Sequence, residues 1–231
     1  MKTVSAVSRL GFRSRDRAMG MVGAWTAFVV NEAYAVTSGL GYLSVKNPSD
    51  PISDPYLSIM SLLIVLMAPF LVITMVAVHT YAAAELKPYS LAALAFMILL
   101  AGITSSINFA LFAVTRQPTP APALWVSSFV SSRWPPLPQA LDFFAWDWFF
   151  AISMLLAAPV FRGSRLENAV RVLMLPTGVL CILGLAWLPF SPPQATVIGI
   201  LGWGVAGPIV FLLLANLFTR IQPDPGPSPA T

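Results

Sequence analysis

The chain has 231 residues, of which 57% are hydrophobic and only 10% are charged, and its formal net charge is +4. A soluble globular domain carries about 25% charged residues, so this composition leaves too few polar side chains to cover a water-soluble fold. It predicts an integral membrane protein with one domain, and the basic residues, which flank apolar segments, form no face suited to nucleic acid.

The first apolar segment raises a processing question. A basic stretch ends at Arg17, 13 apolar residues follow from Ala18 to Val30, and an A-x-A pattern ends at Ala35. This order is typical of a signal peptide, and cleavage after Ala35 would leave five membrane spans. The apolar character continues weakly to Leu43, so we favour the alternative, in which the segment stays as a membrane helix.

Six apolar segments of this kind follow one another along the chain. A helix of about 20 residues, rising 1.5 Å per residue, crosses the roughly 30 Å hydrocarbon core of a bilayer. The segments are continuously apolar and not apolar at every second position, which favours helices over a β-barrel. We therefore predict an all-α, multi-pass membrane bundle of six transmembrane helices within residues 19–221. The spans are expected near residues 19–42, 58–80, 90–113, 140–161, 168–188 and 195–218.

The basic residues predict how the bundle is oriented. Ten of the thirteen Lys and Arg residues lie on the side of the two termini, and only Lys46, Arg116 and Arg133 lie on the other side. Under the positive-inside rule, both termini are then cytoplasmic. Residues 1–18 form a basic cytoplasmic segment, and the proline-rich residues 222–231 are expected to be disordered.

Prolines and small residues indicate local features of the spans. Pro69, Pro176 and Pro208 fall within spans and are expected to kink them, because proline removes a helix hydrogen bond. Small residues four positions apart let helices approach closely, and we expect these pairs to pack inside the bundle. The pairs are Gly20 with Ala24, Gly102 with Ser106, and Gly202 with Ala206. In the longest connection, the apolar residues 123–130 are expected to lie on the outer membrane surface.

Acidic residues inside the apolar spans are the best indication of a site. A carboxylate in the middle of a membrane helix costs about 2.5–3.5 kcal/mol on insertion scales. Counted at 1.5 Å per residue from the centre of each span, Glu32 lies about 3 Å, Asp147 about 6 Å and Asn108 about 9 Å toward the outer side. We therefore expect these three side chains to converge in the outer half of the membrane.

Such a cluster suits acid/base chemistry without a metal. Removal from water favours the neutral form of a carboxyl group, so Glu32 and Asp147 are the candidate catalytic acid and base. The aromatic segment 141–150 surrounds Asp147 and supplies apolar walls and π faces that can stabilise a cation. The candidate substrate-binding residues are Asn108, Asp142, Phe143, Trp146 and Phe150. Asp142 also suits an ordinary helix start, where the helix dipole favours an acid.

Metal, haem and disulfide chemistry find no support in the sequence. The chain has one cysteine, Cys181, and one histidine, His79. A lone cysteine forms no intramolecular disulfide, and His79 has no Cys, Asp or second His three or four residues away with which to share a metal. We therefore predict no metal and no cofactor.

Three functions fit these features. The first is an intramembrane enzyme that isomerises or cyclises a lipophilic small molecule. The second is a non-catalytic membrane subunit or assembly factor, whose acids pair with helices of a membrane protein partner. The third is a small proton-coupled transporter with two three-helix halves. In each of them, membrane lipids surround the protein.

Overall fold

The computed structural model describes residues 12–47, 52–115, 135–188, 190 and 197–222. Six long helices account for most of these residues, and no strand occurs among them. The helices are α1 (Ser14–Ser44), α2 (Tyr56–Tyr81), α3 (Lys87–Thr115), α4 (Leu137–Val160), α5 (Arg165–Trp187) and α6 (Val197–Arg220). Residues 123–130 and the tail from residue 223 onward lie outside the described part of the chain.

The predicted all-α membrane bundle of six helices is confirmed. Five of the helices, α2 to α6, are long and apolar enough to cross a membrane. The first helix, α1, is long enough at 31 residues but is less apolar than the others, because polar residues such as Asn31 and Glu32 interrupt it. It runs unbroken past Ala35, and cleavage at that position stays a prediction.

The six helices form a ring in chain order. Each helix packs against the next one along the chain, and the ring closes where α1 packs against α6 as well as α2. Long flexible side chains fill the centre, including Met75 of α2, Met97 of α3, Met154 of α4 and Met174 of α5, all of them fully buried. Methionine suits such a centre because its unbranched side chain fills irregular gaps.

Glycines set the closest helix contacts. A Cβ atom added to Gly20 of α1 would lie 2.8 Å from both Ala77 of α2 and the ring of Phe218 of α6, so only glycine fits where the ring closes. A Cβ atom added to Gly202 of α6 would likewise lie too close to α5. For Gly102 and Ser106, the prediction of internal packing is wrong, because both are exposed on the outer face of α3.

Two helices contain a wide π-type turn. In α4 it covers Ala145–Phe150, and in α6 it covers Leu201–Ala206, immediately before Gly207 and Pro208. The proline ring clashes with the carbonyl group four residues before it in a regular helix, and a wider turn relieves that clash. Such turns often occur at functional sites because they displace side chains from their regular positions.

Aromatic and polar contacts fasten one end of the bundle. Phe12, which precedes α1, is buried, and its ring lies 5.5 Å from that of Tyr81 and 6.1 Å from that of Phe218. The Tyr81 hydroxyl donates a hydrogen bond of 2.6 Å to Glu167 of α5. The Arg17 guanidinium donates to the carbonyl oxygens of Phe218 and, at 2.6 Å, Thr219. Helices α1, α2, α5 and α6 are therefore joined at the end of the bundle where α1 begins.

Candidate functional site

A polar network joins α3 to α4. The Thr104 hydroxyl donates to Asp142 Oδ1 at 2.5 Å, and the Trp146 indole N–H donates to Thr104 Oγ1 at 3.2 Å. The Asn108 amide donates to the Thr104 carbonyl oxygen at 2.9 Å and, more weakly, to Asp142 Oδ1 at 3.4 Å. Thr104, Asn108 and Trp146 are all buried. Asp142 is therefore anchored to the neighbouring helix.

Helix periodicity explains why these four residues meet. Thr104 and Asn108 are four residues apart on one face of α3, and Asp142 and Trp146 are four residues apart on one face of α4. Residues at this spacing lie one turn apart on the same side of a helix. The site prediction named Asn108, Asp142 and Trp146 but missed Thr104, although the spacing from Asn108 would have indicated it.

Asp147 lies on a different side of α4 and faces α6. Its side chain is only 4% exposed, and a Cβ atom added to Gly199 of α6 would lie 2.6 Å from its Oδ1 atom. The indole ring of Trp203 lies near this carboxyl group. Even so, neither Asp147 Oδ1 nor Trp203 Nε1 makes a hydrogen bond of acceptable geometry within the described part of the chain. Asp147 is therefore buried and incompletely satisfied.

Aromatic rings pack against one another around Trp146, the residue before Asp147. The ring of Trp146 lies 5.8 Å from that of Trp203 and 5.5 Å from that of Phe150. Phe150 is fully buried, whereas Phe143 is half-buried on another side of α4. Trp146 and Phe150 are thus buried inside the bundle, as Asp147 is.

The three residues expected to converge do not meet. Glu32 is exposed on the outer surface of α1, Asn108 joins Asp142, and Asp147 faces α6. In α1 the inward position is taken by Asn31, which is 6% exposed. Adjacent residues point about 100° apart around a helix, so the rotation of α1 decides which of the two faces the bundle. That rotation could not be derived from the composition of the span.

An apolar groove runs along the outer surface of α3 beside the polar network. Its volume is about 580 Å³. It is lined by Ile98, Leu99, Gly102, Ile103, Ser106 and Ile107 of α3 and by Leu141 and Phe144 of α4. The Ser106 hydroxyl donates a hydrogen bond to the Gly102 carbonyl oxygen, so the one hydroxyl among the described lining residues is already paired. A hydrocarbon chain is the kind of molecule that such a surface accepts.

The described residues contain no cluster of three His, Cys, Asp or Glu side chains that could hold a metal ion. Cys181 is fully buried against α6, next to Gly202. Comparison with protein-family models, with curated proteins and with solved structures found no match. The chemistry of the site therefore has to be argued from its own residues.

Proposed function

We propose that this multi-pass membrane protein is an intramembrane enzyme that performs acid/base chemistry on a lipophilic small molecule, with Asp147 as the reacting group. The observation that carries the proposal is the contrast between two acids of α4. Asp142 accepts hydrogen bonds from Thr104 and Asn108, whereas Asp147 is buried with Oδ1 unpaired among the described residues. A buried acid that is not fully hydrogen-bonded is available for proton exchange.

The chemistry needs one carboxyl group. Asp147 donates its proton to a carbon–carbon double bond of the substrate, which leaves a cation on the neighbouring carbon and a carboxylate on the enzyme. The carboxylate then removes a proton from an adjacent carbon, so a double bond forms again and Asp147 regains its proton. The product is an isomer of the substrate, shifted or cyclised, and no electrons are transferred to or from a cofactor.

The aromatic rings give this mechanism its second component. A carbocation is stabilised by the negative faces of aromatic rings, most strongly by tryptophan. Trp146, which precedes Asp147 in α4, packs against Trp203 of α6 with ring centroids 5.8 Å apart, and in this proposal these two rings provide the π faces near Asp147. The hydrogen bond from Trp146 to Thr104 fixes its ring relative to the anchored Asp142. In this proposal, Asp142 and Thr104 are positioning residues.

The groove on α3 provides a route from the bilayer. It lies between α3 and α4, and its lining residues Ile103 and Leu141 are adjacent in sequence to Thr104 and Asp142. A substrate dissolved in the membrane can enter from the side, without crossing the polar surface. Entry to Asp147 requires α4 to move relative to its neighbours, which the wide turn at Ala145–Phe150 makes easier than a regular helix would.

Deuterium incorporation tests the reaction class without a known substrate. Membranes containing the wild-type protein, Asp147→Asn or Glu85→Gln are incubated in heavy water, and the extracted lipids are analysed by mass spectrometry. Glu85 serves as the control because it is an exposed acid in the turn between α2 and α3. Asp147 exchanges its proton with the heavy water between turnovers, so proton addition at carbon leaves one non-exchangeable deuterium in the product. We expect a labelled lipophilic species with the wild type and with Glu85→Gln, and a loss of at least 100-fold with Asp147→Asn, as for removal of a general acid/base.

Two outcomes contradict the proposal. Equal labelling with Asp147→Asn would show that another group moves the proton, provided that the variant remains folded by thermal unfolding. No label above that in membranes lacking the protein would remove proton addition to carbon from consideration. In that case, a substrate-dependent pH change in proteoliposomes would support transport, and a stoichiometric partner on purification would support a subunit role.

A further inference from the structure

The outer face of α1 carries a regular row of exposed residues. We name it the outer seam: Val22, Trp25, Val29, Glu32, Val36 and Gly39, all of which are exposed. The spacing alternates between three and four residues, which averages 3.5, the period at which two helices pack along their whole length. The opposite face of α1 is already packed against α2 and α6.

Lipid alone is a poor environment for this seam. Glu32 lies at its middle, and no hydrogen bond or ion pair within the described residues holds its carboxyl group. A carboxylate at such a depth costs about 2.5–3.5 kcal/mol on insertion scales. In addition, α1 is the long helix that is not apolar enough to qualify as a membrane span. A protein surface packed over the seam would shield both the Glu32 carboxyl group and the less apolar helix α1 from lipid.

We propose that the outer seam of α1 is the interface of a parallel homodimer, in which α1 packs against α1 of a second copy. Copies inserted in the same orientation place their α1 helices parallel, and a twofold axis sets each seam position opposite itself. The two Glu32 side chains then face each other across the twofold axis, within reach of a carboxyl–carboxyl hydrogen bond. Among the residues that the structure describes, the Lys and Arg side chains lie toward the ends of the helices or in the turns between them, so none of these lies near the depth of Glu32.

The surface beside the seam also fits a second copy. An apolar recess of about 320 Å³ lies between α1 and α2, lined by Ala18, Met19, Val22 and Ile73. A large seam side chain of the facing helix, such as Trp25, has the apolar character to enter this recess. The valines at positions 22, 29 and 36 are seven residues apart, and β-branched residues at one of the two seam positions favour two-stranded parallel packing.

Disulfide cross-linking tests the seam directly. The chain's single cysteine, Cys181, is buried, so a Cys181→Ala background permits one new cysteine at a time. Val29→Cys and Val36→Cys place thiols on the seam, and Val179→Cys places one on the exposed face of α5 as a control. On oxidation in native-like membranes, we expect both seam variants to form a band of twice the monomer mass, and the control to stay monomeric.

Substitution of Glu32 gives a second, independent measurement. We expect Glu32→Leu to weaken dimerisation in detergent or lipid about 3- to 20-fold, the range found for single hydrogen bonds between membrane helices. Glu32→Gln keeps a hydrogen-bonding group opposite its own copy and should retain most of the dimer. Two outcomes overturn the proposal. One is a monomer with uncross-linked seam thiols. The other is cross-linking of the seam only to a different protein, which would point to a partner with a basic residue opposite Glu32.

Discussion

Replacing Thr104 by valine tests the network that joins α3 to α4. Valine has nearly the same shape, so packing at this 1% exposed position is preserved while the hydroxyl is lost. Besides a weak 3.4 Å bond from Asn108, the substitution removes two shorter bonds, one of 2.5 Å to Asp142 and one of 3.2 Å from Trp146, so the buried indole N–H loses its acceptor. Hydrogen bonds between membrane helices contribute about 0.6 kcal/mol on average and at most about 1.7. Two such bonds predict a loss of about 1–3 kcal/mol.

The assay is thermal unfolding of the purified protein in a single detergent, followed by tryptophan fluorescence. For a chain of this length, 1 kcal/mol lowers Tm by about 2–4 °C, so Thr104→Val should lower it by about 2–12 °C. Thr104→Ser keeps the hydroxyl and should lose less. Thr80→Val serves as a control, because the Thr80 hydroxyl donates only to carbonyl oxygens of its own helix, at Val76 and Ala77. Equal Tm values for Thr104→Val and Thr104→Ser would refute the assignment of the network.

Two further substitutions test the ring of helices by the same unfolding measurement. Gly20→Ala should destabilise the protein by about 1–3 kcal/mol, because the new methyl group would lie 2.8 Å from Ala77 and Phe218. Gly102→Ala is the control: its methyl group would have no atom within 4 Å, so this substitution should be neutral or slightly stabilising. Unchanged stability of Gly20→Ala would show that α1 is not tightly packed at the closure. Tyr81→Phe removes the 2.6 Å bond to Glu167 and should lower Tm by about 2–4 °C. Tyr89→Phe, at a half-exposed ring on α3, should not lower it, and equal effects of the two would argue against a role for the bond.

The number and position of the helices could be predicted from the sequence because membrane thickness fixes the length of each apolar segment. The prediction placed the second span near residues 58–80, and α2 covers Tyr56–Tyr81. Composition does not, however, fix the rotation of a helix that is apolar nearly all round. Gly102 was therefore expected inside the bundle and is outside, and Glu32 was expected to meet Asp147 and is exposed.

The site could likewise be predicted only in part, because residue counting gives depth but not helix rotation. Depth along the membrane depends only on counting residues, and this count placed Asn108 and the acids of α4 at similar depths; Asn108 and Asp142 do lie at the same level of the bundle. Which acid meets Asn108 depends on helix rotation, and it is Asp142 that does so. The wide turn in α4 adds to the difficulty, because it displaces Asp147 from the position that a regular helix would give it. No residue pattern in the sequence indicated that turn.

The closure of the ring between α1 and α6 sets an order for assembly. Arg17 is bound by the carbonyl oxygens of Phe218 and Thr219, which are 201 and 202 residues later in the chain. During synthesis, α1 is made before α6, so the inner face of α1 lacks one of its two neighbours until α6 has been translated. Until then, Gly20 and Arg17 are open to other membrane helices. A newly made chain is therefore most easily captured by a chaperone or misassembled at its first helix, and the arrival of the last helix ends that interval.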